Sequence, residues 1–268
     1  RPAWVLRRGV FRAPGFTRYT RALYRSEAER FAFEDRDDIY GDVSAFESPI
    51  LFLAGPGPTY AIGGQRVGSD KLDHFLSVGF AYYRHTARGG TEEEAVRSGV
   101  RTEYRLWGMF TSRTFSFADL RANHDGYRFY AELLEPGSAF DRDTDGCVER
   151  VGAWSWAAWV HAQWDEVLDP SVYAEVVGQR VLDTLAARRA AVCSSRKAWD
   201  DGVRAWAEPD APWLAGPRPV QGDPFQLDAL CDPTRRGPLR ARPPRRAPPP
   251  SGSPSHAPRE GSSPPSRG

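Results

Sequence analysis

The stretch 68-GSDKLDHFLSVGFAYY-83 joins an apolar helical pattern to a polar start. Asp70 and His74 are four residues apart, so they share one face of a helix, and Lys71 lies beside them. The apolar residues that follow keep the spacing of a helix that packs against a core. The stretch therefore predicts a helix from Asp70 to about Thr86 that carries three polar side chains into apolar surroundings.

Capping signals place this helix and two more. Ser69 is expected to cap the first helix. Thr91 with Glu94 forms a capping box for the second, and Ser116 with Asp119 fits a looser form of the same box for the third. The predicted helices cover residues 70–86, 92–110 and 117–134.

The remainder of the chain predicts a mainly α fold, a helical bundle with one small β-hairpin and a disordered C-terminal tail. Hydrophobic residues make up 40% of the chain, which suffices for a core in residues 1–215. Residues 233–268 hold eleven of the 23 prolines, so 216–268 is expected to form the tail. Further helices are expected at 16–35, 155–168, from Pro170 to 192, and at 196–207.

The hairpin is predicted at the acidic stretch 141-DRDTDG-146. Its alternating Asp residues match the first half of a calcium-binding EF-hand loop. Such a loop needs a bidentate Glu at its twelfth position, where Gly152 stands. We interpret the stretch as a hairpin turn with Asp-Gly chemistry. A weak calcium site is the alternative.

Charge is distributed unevenly over the chain. Residues 233–268 carry eight Arg against one Glu, a net +7, so residues 1–232 carry −6 of the formal net charge of +1. An acidic body argues against specific nucleic-acid binding. The basic tail could contact an anionic membrane surface weakly, although a tail without a specific partner is the simpler expectation. No apolar run approaches the roughly 18 residues that cross a bilayer.

The three cysteines indicate no zinc site, because none forms a CxxC pair. A disulfide between Cys147 and Cys193 is expected in an oxidising compartment, and three free thiols are the alternative. The four Trp between 154 and 164 are interpreted as core residues, with a carbohydrate platform as the alternative. No cofactor or metal is expected.

Polar residues on the three helices predict one cluster, because short loops would fold these helices antiparallel. Asp119 and Asn123 are four apart on the third helix, as Asp70 and His74 are on the first. Burying such groups is costly unless each finds a partner. The cluster therefore needs a structural or a functional explanation. The candidate residues are Asp70, Lys71, His74, Glu103, Arg113, Asp119, Asn123 and Tyr127.

The order of these motifs resembles a known family. "DKLDHF", then a Glu, then "RTFSFADLRANHDG" is similar to the pattern DKxxHF, Glu, RxFSxxDxxANxxG of VanZ-like proteins. The resemblance covers about residues 68–130 and extends to YfiM-like envelope lipoproteins, which look like soluble versions of the motif. It implies a cell-envelope location, periplasmic or lipid-anchored through a segment before Arg1. VanZ-like helices span membranes, whereas this chain has the polar stretches "YYRHTARGG" and "EEEAVRSG".

Two functions from different classes follow. The first is an envelope-associated soluble protein whose polar cluster is structural or binds a small ligand or envelope component. The second is a hydrolase or transferase with His74 as general base or metal ligand and Asp70, Glu103 and Asp119 as carboxylate partners. Arg113 would then hold an anionic substrate group, and Lys71, Asn123 and Tyr127 would complete the binding site.

Overall fold

The computed structural model describes residues 59–133, 135–166 and 171–190 without a break, together with 192–194, 230–234 and a few positions between 22 and 48. The helix expected at 196–207 lies outside the described residues. Most of the helix expected at 16–35 and of the tail expected at 216–268 also lies outside them.

The described part is mainly α, as predicted, with three small antiparallel two-stranded sheets that pair β1 with β2, β3 with β6 and β4 with β5. Two segments have the wider π-helical turn, and two single 3₁₀ turns precede the last strand. No helix within the described residues is long and apolar enough to cross a membrane. The strands are β1 (Thr59–Ile62), β2 (Gln65–Gly68), β3 (Thr114–Phe115), β4 (Phe140–Arg142), β5 (Val148–Arg150) and β6 (Val172–Tyr173). The α-helices are α1 (Ser69–Asp73), α2 (Gly79–Thr86), α3 (Glu92–Thr102), α4 (Phe117–Glu132) and α5 (Glu175–Ala187).

The first predicted helix is present, but it is interrupted. Between α1 and α2 the chain takes a π-helical turn over His74–Val78. The N-cap is Gly68 rather than Ser69, because β2 leads into the helix without a loop and Ser69 is already helical and buried. Gly68 keeps the extended backbone of the strand, with φ −62° and ψ 140°, and makes no side-chain cap.

The second helix begins at the predicted capping box, which is confirmed. The Thr91 side chain accepts from the Glu94 amide, and the Glu94 carboxylate accepts from the Thr91 amide. After α3 the chain widens into a long π-helical segment, Glu103–Ser112. That segment ends at Arg113, which has a left-handed φ of 64°.

Close packing of α4 against α2 and the first π segment positions the polar residues. A Cβ on Gly79 would lie 2.5 Å from the Cα of Gly126, and a Cβ on Gly126 would lie 2.0 Å from the Phe75 carbonyl oxygen. Side chains at these two glycines would hold the helices apart. The close approach brings residues of α1, the π segment and α4 within reach of one another.

The core forms on the other side of this contact. Phe75 and Phe129 lie at its centre, and the rings of Trp156, Trp159 and Trp164 surround Phe75 at centroid distances of 5.3, 5.7 and 5.5 Å. The core interpretation is therefore confirmed for Trp164, whereas Trp154, Trp156 and Trp159 are only partly buried and pack against the core. These rings contribute a large share of the apolar burial of the described body.

The helix expected at 155–168 is instead two 3₁₀ turns, Trp156–Ala158 and Ala162–Trp164. Ser155 caps the first turn, as predicted, by accepting from the Ala157 amide. His161 has an extended backbone, with φ −148° and ψ 176°, and its ring accepts from the Gln163 amide. This extended residue interrupts the helical pattern that the sequence suggested.

Both local hairpins have short turns. The predicted hairpin is present as β4–β5, with Phe140 opposite Arg150. A second hairpin, β1–β2, was not predicted, and its turn residues Gly63 and Gly64 have φ of 58° and 80°. Two consecutive positive φ values define the tight two-residue turn that glycine favours. The Gly-Gly pair was the available signal.

The last helix is shorter than predicted. The segment before it, β6, pairs with β3, so α5 begins at Glu175 rather than near Pro170. Leu230 is buried against α5 in an apolar cluster. The boundary expected at residue 216 did not anticipate this contact.

The disulfide expected between Cys147 and Cys193 is wrong. Cys193 bonds to Cys231, with Cα atoms 5.4 Å apart. Burial of Leu230 brings Cys231 beside the end of the last helix, whereas Cys147 is a free, exposed thiol at the β4–β5 turn.

Candidate functional site

A lysine at the start of α1 is the centre of the polar cluster. The Lys71 ammonium lies 2.6 Å from Asp70 Oδ2, 2.6 Å from Asp119 Oδ1 and 2.9 Å from Glu166 Oε1. Its side chain is only 2% exposed. Burial alone would lower the pKa of Lys71, but Asp119, Asp70 and Glu166 raise it well above the ordinary value. The lysine is therefore a permanently charged, fully enclosed cation.

Glu166 joins the cluster from a distant part of the chain. Its Oε1 accepts from the Ser116 hydroxyl at 2.6 Å as well as from Lys71, and its Oε2 accepts from the Tyr40 hydroxyl at 3.0 Å. Burial raises the pKa of Glu166, and the attraction of Lys71 offsets part of that rise. The sequence prediction of the site omitted Glu166. No signal in the residues around Lys71 pointed to a carboxylate 95 positions further along the chain.

Asp119 has a different role from the one its capping box suggested. The Ser116 side chain does accept from the Asp119 amide, at 3.1 Å, so the cap is confirmed. The Asp119 carboxylate, however, contacts Lys71 and lies 3.4 Å from His74 Nε2. The Ser116 amide is directed instead to Glu103 Oε1 at 3.4 Å.

His74 lies between two acceptors at the edge of the cluster. Its Nδ1 is 2.9 Å from Asn123 Oδ1, and its Nε2 faces Asp119 Oδ2. Burial would lower the pKa of His74, but Asp119 and Glu103 outweigh burial and raise it above the ordinary value. Its side chain is 24% exposed, so the ring reaches solvent on one side.

Glu103 is the least satisfied carboxyl of the cluster. The residue is 8% exposed, and its one hydrogen bond among the described residues is the long one from the Ser116 amide. Burial, together with the negative charge of Asp119, raises the pKa of Glu103 to about 8, although His74 acts in the opposite direction. Gly108 makes room for it, since a Cβ there would lie 2.7 Å from Glu103 Oε1.

Both π-helical segments begin at a residue of this cluster. His74 is the first residue of one segment and Glu103 the first of the other. Such wide turns are rare and occur frequently at functional sites, where the extra residue redirects a side chain. Here they place two titratable groups next to the enclosed lysine.

Two predicted site residues lie elsewhere. Arg113 is exposed, and it ends the second π segment with a left-handed backbone, so its side chain is not part of the buried cluster. Tyr127 lies two turns further along α4 than Asp119, where its ring stacks near His124 at 5.9 Å and packs with Tyr82 and Val96. The structure thus brings together Asp70, Lys71, His74, Glu103, Asp119 and Asn123, with Glu166 added.

A second buried polar network was not predicted. Asp125 accepts from Arg121, from His161 Nε2 at 2.9 Å and from Trp164 Nε1 at 2.8 Å. Burial opposes the charge of Asp125, but His161 and Arg121 outweigh it and hold the pKa of Asp125 below its ordinary value. Both ring nitrogens of His161 are occupied, because Nδ1 accepts from the Gln163 amide. This network joins α4 to the Trp-rich turns and has a structural role.

The acidic hairpin turn is held by its own backbone. Asp143 Oδ1 accepts from the amides of Asp145 and Cys147 at 3.0 and 2.7 Å. The described residues contain no group of three His, Cys, Asp or Glu that could hold a metal ion. The turn therefore uses its carboxylates for local hydrogen bonds.

We expect this turn to bind calcium no more tightly than about 1 mM, because Gly152 offers no carboxylate to close the loop. Calorimetric titration of the full chain with CaCl₂ measures the dissociation constant. A micromolar constant that is lost in D143A would contradict the hairpin interpretation.

No family model matches the chain, and no curated protein or solved structure is significantly similar to it.

Proposed function

We propose that the chain is an envelope-associated protein, related to the VanZ-like and YfiM-like proteins, whose helices form a bundle around a site for a small polar ligand. Three features support this proposal. The motif order in residues 68–130 resembles that family. The Cys193–Cys231 disulfide suits an oxidising compartment. The polar cluster combines an enclosed part with an edge that reaches solvent.

The enclosed part is structural. Lys71 is satisfied by three carboxylates, and Glu166 in turn accepts from two hydroxyls. Such a group links α1, α4 and the segment after the 3₁₀ turns. It holds the helix starts in place, and it offers a ligand little to bind.

The edge of the cluster has the properties of a binding site. Asp70 is 54% exposed and His74 is 24% exposed, so both reach solvent beside the enclosed lysine. The single observation that carries the proposal is Glu103, a carboxyl 8% exposed with one 3.4 Å hydrogen bond among the described residues. Buried polar groups in native proteins normally have good partners. A ligand at this edge would supply one.

Replacing Glu103 with Gln is expected to stabilise the chain at alkaline pH. A carboxyl whose pKa is raised to about 8 in the folded state opposes folding increasingly as pH rises from its unfolded value toward 8. We therefore expect E103Q to raise the free energy of unfolding by about 1–3 kcal/mol at pH 9 and by much less at pH 5. Urea unfolding at the two pH values measures this difference.

The matched control for this experiment is E149Q, which removes an exposed carboxylate on β5 and is expected to change stability little at either pH. If E103Q instead destabilises the chain at both pH values, Glu103 is a structural partner and the proposal loses its support. If E103Q raises the free energy of unfolding at pH 9 but not at pH 5, the Glu103 carboxylate lowers the stability of the chain, as binding residues often do.

A ligand screen tests the binding function directly. Small cationic, anionic and neutral polar compounds are added to the full chain while the ring resonances of His74 are followed by NMR. The proposal expects at least one compound to shift these resonances saturably and to do so less in E103Q. If none of the three classes shifts them, the cluster is structural only.

A hydrolase or transferase is the second candidate, because His74 and Glu103 stand beside one another as titratable groups. Asp119 and Glu103 raise the pKa of His74 above its ordinary value, and burial raises the pKa of Glu103 to about 8, so Glu103 can exchange a proton near neutral pH. His74 would act as base and Glu103 as acid. H74Q should then fold normally and lose catalytic turnover. If H74Q instead lowers the free energy of unfolding and the unmodified chain shows no activity, His74 has a structural role.

A further inference from the structure

We infer that the ligand of the polar cluster is an organic cation, a primary ammonium or guanidinium group, held at the edge formed by Asp70, His74 and Glu103. The inference rests on the proposed ligand-binding function and names the chemical class that the site would take.

Charge is the first reason. The cluster contains four carboxyl groups, Asp70, Glu103, Asp119 and Glu166, against two basic side chains, Lys71 and His74. With Glu103 protonated below its pKa of about 8, Asp70, Asp119 and Glu166 still outnumber Lys71 and His74. Ionisation of Glu103 above that pH adds one more negative charge, and this excess favours a cation.

The hydrogen-bond donors of the cluster are the second reason. The Lys71 ammonium donates to carboxylates, and so does the Ser116 hydroxyl. The two ring nitrogens of His74 face Asn123 Oδ1 and Asp119 Oδ2. Arg113, the residue expected to hold an anion, is exposed and outside the cluster. An anionic ligand would find these donors already engaged.

Unlike the donors, the acceptors Glu103 and Asp70 are not fully engaged within the cluster. Glu103 is more than nine-tenths buried, and its Oε2 has no hydrogen-bond partner among the described residues. Asp70 binds Lys71 through Oδ2 while its side chain is 54% exposed. An ammonium or guanidinium group donates several hydrogen bonds in fixed directions and would satisfy such acceptors.

The cation is organic rather than metallic. The described residues offer no group of three His, Cys, Asp or Glu with the arrangement that a metal ion requires. The point where three carboxylate oxygens do converge is filled by the Lys71 ammonium. A ligand therefore reaches the cluster only at its edge, where the side chains of Asp70 and His74 are partly exposed to solvent.

The test uses the full isotope-labelled chain at constant ionic strength and at pH 9, where Glu103, with a pKa of about 8, is ionised. Ethanolamine and methylguanidinium chlorides are the cationic probes, sodium acetate and methyl phosphate the anionic ones, and ethylene glycol the neutral one. The His74 ring resonances report binding. We expect saturable shifts with the cations only, and we expect E103Q to weaken that binding at least about fivefold.

E149Q controls for the general loss of one negative charge and is expected to bind within about twofold of the unmodified chain. Saturable binding of acetate, methyl phosphate or ethylene glycol without binding of the cations would overturn the cationic class and leave the binding function standing. Absence of any saturable shift would overturn both. Cation binding that is equally weakened in E149Q would show nonspecific attraction and would also overturn this inference.

Discussion

Replacing Lys71 with Met is expected to lower the free energy of unfolding by about 3–5 kcal/mol, the range for removing one partner of a buried ionic group. The three carboxylates around the ammonium would face one another without a counter-charge. Methionine fills a similar volume, so the cost arises from charge rather than from a cavity. For a domain of this size we expect the melting temperature to fall by roughly 10 °C.

Chemical unfolding of K71M beside R97M checks this result. Arg97 also pairs with a carboxylate, Glu93, but it is 70% exposed on α3, so R97M should cost less than about 1 kcal/mol. The K71M defect should shrink in acid, because protonation of the stranded carboxylates removes their repulsion. Equal effects of the two substitutions would show that Lys71 is not an enclosed ionic centre.

Replacing Asp125 with Ala is expected to have a comparable effect, about 3–5 kcal/mol of lost stability. The change removes the Asp125 carboxylate from the buried guanidinium of Arg121 and from the N–H groups of His161 and Trp164. Because the pKa of Asp125 lies below its ordinary value, its contribution is present above the unfolded pKa and is lost as pH falls through the folded one. The defect should therefore be large at pH 7 and smaller in strong acid.

Thermal and urea unfolding of D125A are compared with D183A, which removes an exposed carboxylate from α5 and should change stability by less than about 0.5 kcal/mol. W164F removes one hydrogen bond of the same network and also shrinks a fully buried core side chain, so it should cost about 2–4 kcal/mol. A stable D125A with an unchanged acid transition would mean that Arg121 and His161 find other partners.

Local signals in the sequence were sufficient for the starts of α3 and α4 and for six of the seven residues of the cluster. Thr91 and Ser116 cap their helices as predicted, because a cap depends on residues only three positions apart. Asp70 and His74 share a face for the same local reason. The π-helical turns at His74 and Glu103 were not predictable, since their side-chain pattern is that of an ordinary helix.

Contacts between distant segments account for the rest. Glu166 meets Lys71 across 95 positions of the chain, and Asp125 meets Trp164 across 39. The residues that neighbour Lys71 or Asp125 in the sequence do not indicate which distant side chain each one contacts. The charge pattern alone is compatible with several different partners. Arg113 shows the converse error, because it was placed by proximity to the motif, whereas its side chain is exposed at the left-handed turn that ends the second π segment.

The Cys193–Cys231 bond closes residues 193–231 into a covalent ring. A protease that cuts one peptide bond inside the ring opens it without separating the two parts of the chain, so the fragments migrate together until a reductant is added. The arginine- and proline-rich residues that follow Cys231 thus stay tied to the body through sulfur as well as through backbone. In a reducing compartment one cut in the ring would release them.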